Sequence, residues 1–441
     1  MTVGEVADIV GGWLDGSEES FARSRVTGKV EFDSRRVRPG DLFLAIAGER
    51  VDGHDFVDEA LRAGAVGVLA TRPVAVPAIR IEDPIAALTA LAAASARRLT
   101  ATVIAITGSS GKTSTKDLVS QLLARHGNTV APPESFNNEL GHPYTVLLAD
   151  EHTEYLVLEA SARGLGHITH LTEIAPPRIG AVLNVGTAHL GEFGSAAAIA
   201  QAKGELVEAL PSAASGGVAV LNADDPAVLA MAGRTRAALV AFGEHANADV
   251  RAADVRIDQL GRASFELMAA SGRAPVRLSL YGEHHVTNAL AAAAIGLSCG
   301  LETAEVAAGL SAASVRSRWR MEVTHTRNGV TVINDAYNAN PESMRAALKA
   351  LATMTRGRRS FAVLGHMAEL GDASTAEHDS LGRLIVRLNI SRLIAVGALT
   401  RALAHGAALE GSWDGESEWV PDVPAAIERL SEVLRRTTWC S

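Results

Sequence analysis

Cysteine is almost absent from this chain, and several other features that would narrow its function are missing too. The 441 residues include two cysteines, Cys299 and Cys440, which give neither a disulfide framework nor a metal-binding spacing and fit a reducing compartment. The net charge is −9, and no run of Lys or Arg predicts a nucleic-acid surface. The N-terminus has no signal-peptide pattern, and no apolar stretch is long enough to cross a bilayer. We therefore expect a cytoplasmic protein with no nucleic-acid or membrane partner.

Lysine is scarce as well, because arginine supplies nearly all of the basic residues. This bias makes each lysine informative, since lysine was kept at a few positions where arginine is the default. The five lysines are Lys29, Lys112, Lys116, Lys203 and Lys349.

The most informative single stretch is a glycine-rich turn between a predicted strand and a predicted helix. The apolar run Thr102–Ile106 is followed by T-G-S-S-G-K-T at residues 107–113, where a helical pattern begins. Glycines let backbone N–H groups approach an anion, the lysine neutralises it and the threonine hydroxyl can ligate Mg²⁺. The turn therefore predicts a nucleoside triphosphate site, although its glycine spacing is shorter than usual and an ordinary strand–turn–helix connection is the alternative. The predicted nucleotide-binding residues are Gly108, Ser109, Ser110, Gly111, Lys112, Thr113 and Ser114.

Strand and helix patterns alternate along the chain, which predicts an α/β fold. Residues 1–98 are expected to form a small N-terminal α/β domain. Residues 99–311 contain apolar strands at Thr102–Ile106, Tyr155–Leu158 and Ile179–Leu183, and predict a P-loop mononucleotide-binding domain with a mostly parallel sheet. Residues 312–441 alternate again and are expected to form a Rossmann-like C-terminal sheet.

Three polar residues of the second block are candidates for a metal site. Glu159 and His189 follow predicted strands, where a carboxylate or an imidazole beside a phosphate turn could hold Mg²⁺. Lys203 lies in a helical pattern soon after His189 and could become a ligand if its amine is carbamylated. Each residue also has an ordinary alternative role. Glu159 could be a loop acid, His189 a loop histidine and Lys203 a solvated helix lysine.

Several longer motifs resemble those of the Mur ligase family. They are D-S-R-R-V-R-P-G-D-L-F-L-A at 33–45, T-G-S-S-G-K-T at 107–113, S-F-N-N-E-L-G at 135–141, N-x-x-x-x-H-x-x-x-x-G at 184–194, D-A-Y-N-A-N-P at 335–341 and L-G-H-M-A-E-L-G at 364–371. The short glycine spacing of the loop is typical of this family. The resemblance therefore covers the whole chain and accounts for the one irregularity of the loop.

The resemblance implies an ATP-dependent ligase that uses Mg²⁺. The S-F-N-N-E-L-G motif, and the lack of D-N-P-R in the third block, resemble the branch that joins D-alanyl-D-alanine to UDP-N-acetylmuramoyl-tripeptide in peptidoglycan synthesis. In that reaction the tripeptide carboxylate becomes an acyl phosphate, which the dipeptide amine attacks, and the products include ADP and phosphate. A monomer is expected.

The resemblance also implies roles for individual residues. The implied catalytic residues are Lys112, His189, Lys203 and Arg320, with Arg318 as an alternative to Arg320. The implied Mg²⁺ ligands are Thr113, Glu159, His189 and carbamylated Lys203. The implied nucleotide contacts beyond the loop are Asn288 on adenine, Arg320 on the phosphates and Asp335 on ribose. The implied substrate contacts are Ser34 and Arg35 on the uridine nucleotide, with Asn137, Asn138, Asn338 and Asn340 elsewhere.

The C-terminal end departs from the family pattern. The family normally closes with a strand resembling V-L-V-K-G-S, whereas this chain ends in R-T-T-W-C-S at residues 436–441. Reading plausible codons for these residues in another frame restores an apolar, strand-like sequence. We therefore expect a frameshift to have removed the last strand, which would expose a sheet edge, and the gene sequence tests this expectation.

Two other functions stay open. Another ligase of the superfamily, such as a tripeptide-forming ligase or a folylpolyglutamate synthase, shares the chemistry, but a folate enzyme would lack the domain that residues 33–45 indicate. A P-loop ATPase acting as a binding module would need neither the 335–341 motif nor a third domain. The sequence does not distinguish diaminopimelate from lysine as the third residue of the acceptor peptide.

Overall fold

A computed structural model describes residues 1–15, 19–48, 50–186, 190–327, 329–355, 357–411 and 416–436. The chain divides into two compact units, of which the first comprises Met1–Ala105, His126–Ser161 and His167–Ile179, and the second comprises Ile106–Arg125, Ala162–Gly166 and Gly180–Ser441. The predicted ligand His189 and the unusual end at 437–441 lie outside the described residues. Within the described ranges, no helix has both the length and the apolar character needed to cross a membrane.

Strands and helices alternate along most of the chain. The strands are β1 (Trp13–Asp15), β2 (Val30–Glu31), β3 (Leu42–Leu44), β4 (Gly67–Ala70), β5 (Ala78–Arg80), β6 (Thr102–Thr107), β7 (Thr129–Val130), β8 (Tyr155–Glu159), β9 (Ile179–Val182), β10 (Val218–Asn222), β11 (Ala238–Gly243), β12 (Val250–Ile257), β13 (Arg262–Ala269), β14 (Gly272–Tyr281), β15 (Glu322–His325), β16 (Thr331–Asn334), β17 (Phe361–Leu364), β18 (Arg392–Val396) and β19 (Ser417–Val420). The helices are α1 (Val3–Val10), α2 (Glu19–Arg23), α3 (Val57–Arg62), α4 (Pro84–Ala96), α5 (Lys112–Leu123), α6 (Gly141–Val146), α7 (His167–Ile174), α8 (Leu190–Phe193), α9 (Ala196–Glu208), α10 (Pro226–Leu229), α11 (His285–Ser298), α12 (Thr303–Ala312), α13 (Pro341–Met354), α14 (Ser374–Arg387), α15 (Arg401–Glu410) and α16 (Val423–Arg436).

The first unit contains a five-stranded sheet in the order β1-β5-β4-β3-β2. Its pairs are parallel except β1 against β5. Successive side chains of a strand point to opposite faces, so Leu42 and Leu44 of β3 join one core cluster with residues of α1 and α4, while Phe43 joins another with residues of α3. Helix α4 begins where Asp83 accepts the N–H groups of Ile85 and Ala86, which satisfies amides that lack partners within the helix.

The second unit contains, from Gly180 onward, the strands β9, β10, β11, β12, β13 and β14, which follow in that order in the central sheet. Strands β10, β11 and β12 pair in parallel, whereas β12, β13 and β14 pair antiparallel. Toward the C-terminus, β15 and β16 form an antiparallel pair and β17, β18 and β19 form a parallel sheet. The predicted α/β class is confirmed, the antiparallel extension β12–β14 was not predicted, and the domain boundaries at 98 and 311 stay a prediction.

Candidate active site

The phosphate loop connects β6 to α5 in the second unit. Gly111 precedes α5 with φ of 80° and carries no side chain to cap the helix, so no side chain at that position competes with an anion for the first amides. The Lys112 ammonium donates to the Gly108 carbonyl oxygen at 2.7 Å, which folds the side chain back along the loop. The geometry is that of a cradle for a phosphate group.

Two asparagines shape this loop from distant parts of the chain. The Ser110 N–H donates to the Asn184 side-chain oxygen at 2.9 Å, and the Ser109 N–H donates to the Asn184 carbonyl at 3.2 Å. The side-chain oxygen of Asn288, in the first turn of α11, would lie 2.5 Å from a Cβ at Gly111. Asn288 is buried, so the structure brings this predicted adenine contact against the loop. Its contact with adenine stays a prediction.

Lys203 is buried on α9. Burial, helped by the positive charge of Lys112, holds the pKa of its amine well below the ordinary value of 10.5, because the interior disfavours the charged form. The amine is therefore easier to deprotonate than that of an exposed lysine. Of the alternatives open from the sequence, the solvated helix lysine is wrong.

Arg320 reaches the phosphate loop from the C-terminal part of the second unit. Its Nη2 donates to the Thr113 hydroxyl at 3.3 Å, and its guanidinium lies 4.2 Å from the centre of the Tyr337 ring. The neighbouring Met321 N–H donates to Asp335 Oδ1 at 2.9 Å. Burial raises the pKa of the Asp335 carboxyl. Of these two residues predicted to contact nucleotide, Arg320 thus lies at the loop, and Asp335 holds the backbone next to Arg320.

The segment 184–194 meets both C-terminal motifs within the same unit. A Cβ at Gly186 would lie 2.8 Å from the carboxyl carbon of Glu342, in the first turn of α13, which follows the 335–341 motif. The Gly191 N–H donates to the Glu369 carbonyl at 3.0 Å, within the 364–371 motif. The 184–194 segment thus contacts the phosphate loop through Asn184, the start of α13 through Gly186 and the 364–371 motif through Gly191.

A cavity of about 390 Å³ lies beside these contacts. Gly282, His284 and Thr287 line it on one side, and Glu342, Arg345 and Lys349 of α13 line it on the other. Burial lowers the pKa of His284 to about 4, so the ring is neutral near pH 7. Most of these residues were missed by the sequence reasoning; the one available signal was the run of polar residues from Gly282 to Asn288.

The remaining predicted residues serve local contacts. In the first unit, Asn137 donates to Glu159 at 2.7 Å, Asn138 accepts the Gly141 N–H, Ser34 is buried, and Arg35 is 81% exposed and paired with Asp33. In the second, Asn338 accepts the Ala339 N–H and Asn340 caps α13 through the Ser343 N–H. Their substrate contacts stay predictions.

Comparisons with known proteins agree with this arrangement. The description "Mur ligase family, catalytic domain" matches residues 28–104, "Mur ligase middle domain" matches 106–296, and "Mur ligase, glutamate ligase domain" matches 319–439. UDP-N-acetylmuramoyl-tripeptide–D-alanyl-D-alanine ligase of Mycobacterium tuberculosis is 53% identical over 453 residues, covering 96% of this chain and 88% of that protein.

Solved structures lead to the same family. MurF from Acinetobacter baumannii superposes with a TM-score of 0.83 at 31% identity, covering 99% of this chain and 93% of that one. MurF ligase from Thermotoga maritima, solved in complex with ADP, gives 0.73 at 29% identity, covering 92% and 97%. The phosphate loop, the motifs that meet around it and these likenesses along the whole chain have one common explanation: the chain belongs to the Mur ligase family.

Proposed function

We propose that this chain is an ATP-dependent ligase that joins D-alanyl-D-alanine to the terminal carboxylate of UDP-N-acetylmuramoyl-tripeptide, releasing ADP and phosphate. The observation that carries the proposal is the 53% identity to a ligase of that name over 96% of the chain. We place the reaction in the cytoplasm, as a step of peptidoglycan precursor synthesis, and assign it to a monomer. The expected domain division at residues 98 and 311 would give separate regions for the UDP-sugar, for ATP and for closure over both.

ATP would bind with its phosphates on the loop. Lys112, now on the Gly108 carbonyl, would turn to the γ-phosphate, and Arg320 would reach the same phosphates from its position at Thr113. The cavity beside His284 has room for the adenine, and the first turn of α11 lines it next to Asn288. Asp335 would contact the ribose.

The reaction needs positioned cations more than a side-chain nucleophile. An oxygen of the tripeptide carboxylate attacks the γ-phosphorus and ADP leaves. The dipeptide amine then attacks the carbonyl carbon of the acyl phosphate, phosphate leaves, and the amine gives up a proton. Both steps gather negative charge, so Lys112 and Arg320 would lower the barrier by electrostatic stabilisation.

Mg²⁺ is expected to assist by neutralising the phosphate oxygens. The donors suit the ion, because Thr113 offers a hydroxyl, Glu159 offers a carboxylate and His189 completes the expected set. Lys203 fits a carbamate ligand, because an uncharged amine is the form that combines with CO₂ and its pKa is lowered. Among the residues that the structure describes, no three His, Cys, Asp or Glu side chains form a metal site by themselves, and the proposed set also includes Thr113 and Lys203.

The substrate peptide and nucleotide would contact the residues expected from the family motifs. Ser34 and Arg35 are assigned to the uridine nucleotide. The asparagines at 137, 138, 338 and 340 are assigned to the remaining substrate contacts. Arg35 would have to exchange its present partner Asp33 for an anionic group of the substrate.

One assay separates this proposal from its alternatives. Phosphate release is measured across a matrix of UDP-muramoyl peptides and amine donors, and we expect it only with a tripeptide and D-alanyl-D-alanine together. Lys112→Ala should abolish ADP release while leaving UDP-substrate binding intact, whereas Lys29→Ala, at an exposed position in the first unit, should leave both unchanged. ATP hydrolysis that needs no peptide would favour the P-loop ATPase, and activity with a single amino acid would favour a different ligase.

A further inference from the structure

Helix α5 carries a buried ion pair that the proposed chemistry does not use. Lys116 and Asp117 are both buried, and the Lys116 ammonium lies 2.5 Å from Asp117 Oδ1. The second carboxylate oxygen, Oδ2, accepts the backbone N–H of Ser317 at 3.0 Å, and Ser317 is itself buried. The pair therefore fastens the helix that begins at the phosphate loop to the segment that leads to Arg320.

A second contact between α5 and this segment lies one turn further along the helix. The Gln121 side chain accepts the Ser314 N–H at 3.1 Å and donates to the Ser314 carbonyl at 2.9 Å. Ser314 is six residues before Arg320, whereas Ser317 is three residues before it. Asp117 is thus the α5 contact nearer to the arginine.

Arg320 itself lies in a strained turn. Its two neighbours, Trp319 and Met321, have φ of 57° and 50°. This is a left-handed backbone conformation that residues other than glycine rarely adopt. The turn is held on its far side by Asp335, which accepts the Met321 N–H. On the side that faces α5, the turn is held by the Asp117 carboxylate, which accepts the backbone N–H of Ser317. Strain of this kind persists only where surrounding contacts fix the backbone.

We propose that Asp117 is a positioning residue for Arg320. By accepting the Ser317 N–H, its carboxylate fixes the start of the 317–321 turn on α5 and so places the Arg320 guanidinium at the Thr113 hydroxyl. Lys116 compensates the buried charge of Asp117, which gives this lysine a structural role. The inference rests on the proposed role of Arg320 at the ATP phosphates.

Two variants that differ only at position 117, where one keeps an acceptor oxygen, test the proposal. Lys116→Met with Asp117→Leu replaces the ion pair by apolar side chains of similar size, an exchange that often leaves stability unchanged. Lys116→Met with Asp117→Asn also removes both charges but keeps an oxygen for the Ser317 N–H. We expect the leucine variant to have a kcat for ADP release about tenfold below that of the asparagine variant, with little change in the KM for ATP, because loss of a transition-state contact lowers kcat.

The same pair is then measured with Arg320→Lys. If Asp117 acts through Arg320, the difference between the leucine and asparagine variants should shrink to less than about twofold, since residues that act as a unit are not additive. A merely structural role would keep the full difference in both backgrounds, and that result would overturn the proposal, as would equal kcat values of the two variants. Gln121→Leu is the control on the same helix and should stay within about twofold of the wild type.

A separate variant tests the proposal if either double variant fails to fold, which thermal unfolding of that variant would reveal. Trp319→Gly removes the need for a side chain at positive φ, loosens the turn and should lower kcat about fivefold without lowering Tm. An unchanged kcat would contradict the role of the turn. Absence of peptide-dependent ADP release in the wild type would instead refute the proposed function.

Discussion

The substitution Gly111→Ala tests the physical basis of the phosphate loop. An alanine there would have to keep φ near 80°, which costs about 1–2 kcal/mol for a residue with a Cβ. Its Cβ would also lie 2.5 Å from the side-chain oxygen of Asn288, so Asn288 must move and lose the hydroxyl of Thr115, now 3.4 Å away. That loss costs about 1 kcal/mol, and the total is about 2–3 kcal/mol.

Thermal unfolding measures this cost directly. At about 2–4 °C per kcal/mol for a large domain, the Tm should fall by about 4–12 °C, and ATP affinity should fall at least about tenfold because the cradle is displaced. Gly233→Ala is the matched control, since a Cβ there meets nothing within 4 Å. Adding Asn288→Ala should recover only the part of the Tm loss that comes from the clash. A Gly111→Ala protein with the same Tm as the Gly233→Ala control would refute the reasoning.

Three further predictions concern the pH dependence of stability, measured as urea midpoints. The pKa of Lys203 is lowered from 10.5, so between that lowered pKa and pH 10.5 the unfolded state binds a proton that the folded state does not. Stability should therefore rise with pH over this range, and Lys203→Met should flatten the slope. The pKa of His142 is lowered to about 4 by burial, so stability should fall as pH drops from 6.5 toward 4. The fall should be smaller in His142→Gln, and parallel plots of urea midpoint against pH for the two proteins would contradict this. Burial raises the pKa of Glu31, whose carboxylate accepts the Tyr144 hydroxyl at 3.1 Å, so stability should fall as pH rises above 4.5. Glu31→Gln should be the more stable protein at pH 8, and a less stable variant at that pH would contradict this.

Local sequence patterns predicted the elements that present the site. The apolar run before Gly108 became β6 and the pattern from Lys112 became α5, because a strand and a helix each depend on a short stretch of chain. The strand predicted at Tyr155–Leu158 is β8, which ends one residue later at Glu159. The hairpins β12–β14 were missed even though Arg273–Leu280 alternates polar and apolar residues, because the surrounding alternation of strands and helices favoured a parallel sheet.

Contacts between distant residues could not be predicted in the same way. Asn184 lies 74 residues from Ser110, and nothing near either residue indicates that the two meet. The lowered pKa of Lys203 follows from burial, which its polar helical neighbours did not reveal. The family resemblance supplied the identity of Arg320, whereas its strained turn and its attachment to α5 emerge only when the chain is folded.

Helix α5 has a consequence for how the chain can vary. A helix advances about 1.5 Å and rotates about 100° with each residue, so Thr113 and Asp117 lie on nearly the same side, a little more than one turn apart. One residue inserted between them would carry the carboxylate about 100° around the axis, away from Ser317. The loop could then bind phosphate while the arginine no longer arrived at it. The number of residues between the threonine and the aspartate is therefore constrained as tightly as their identities.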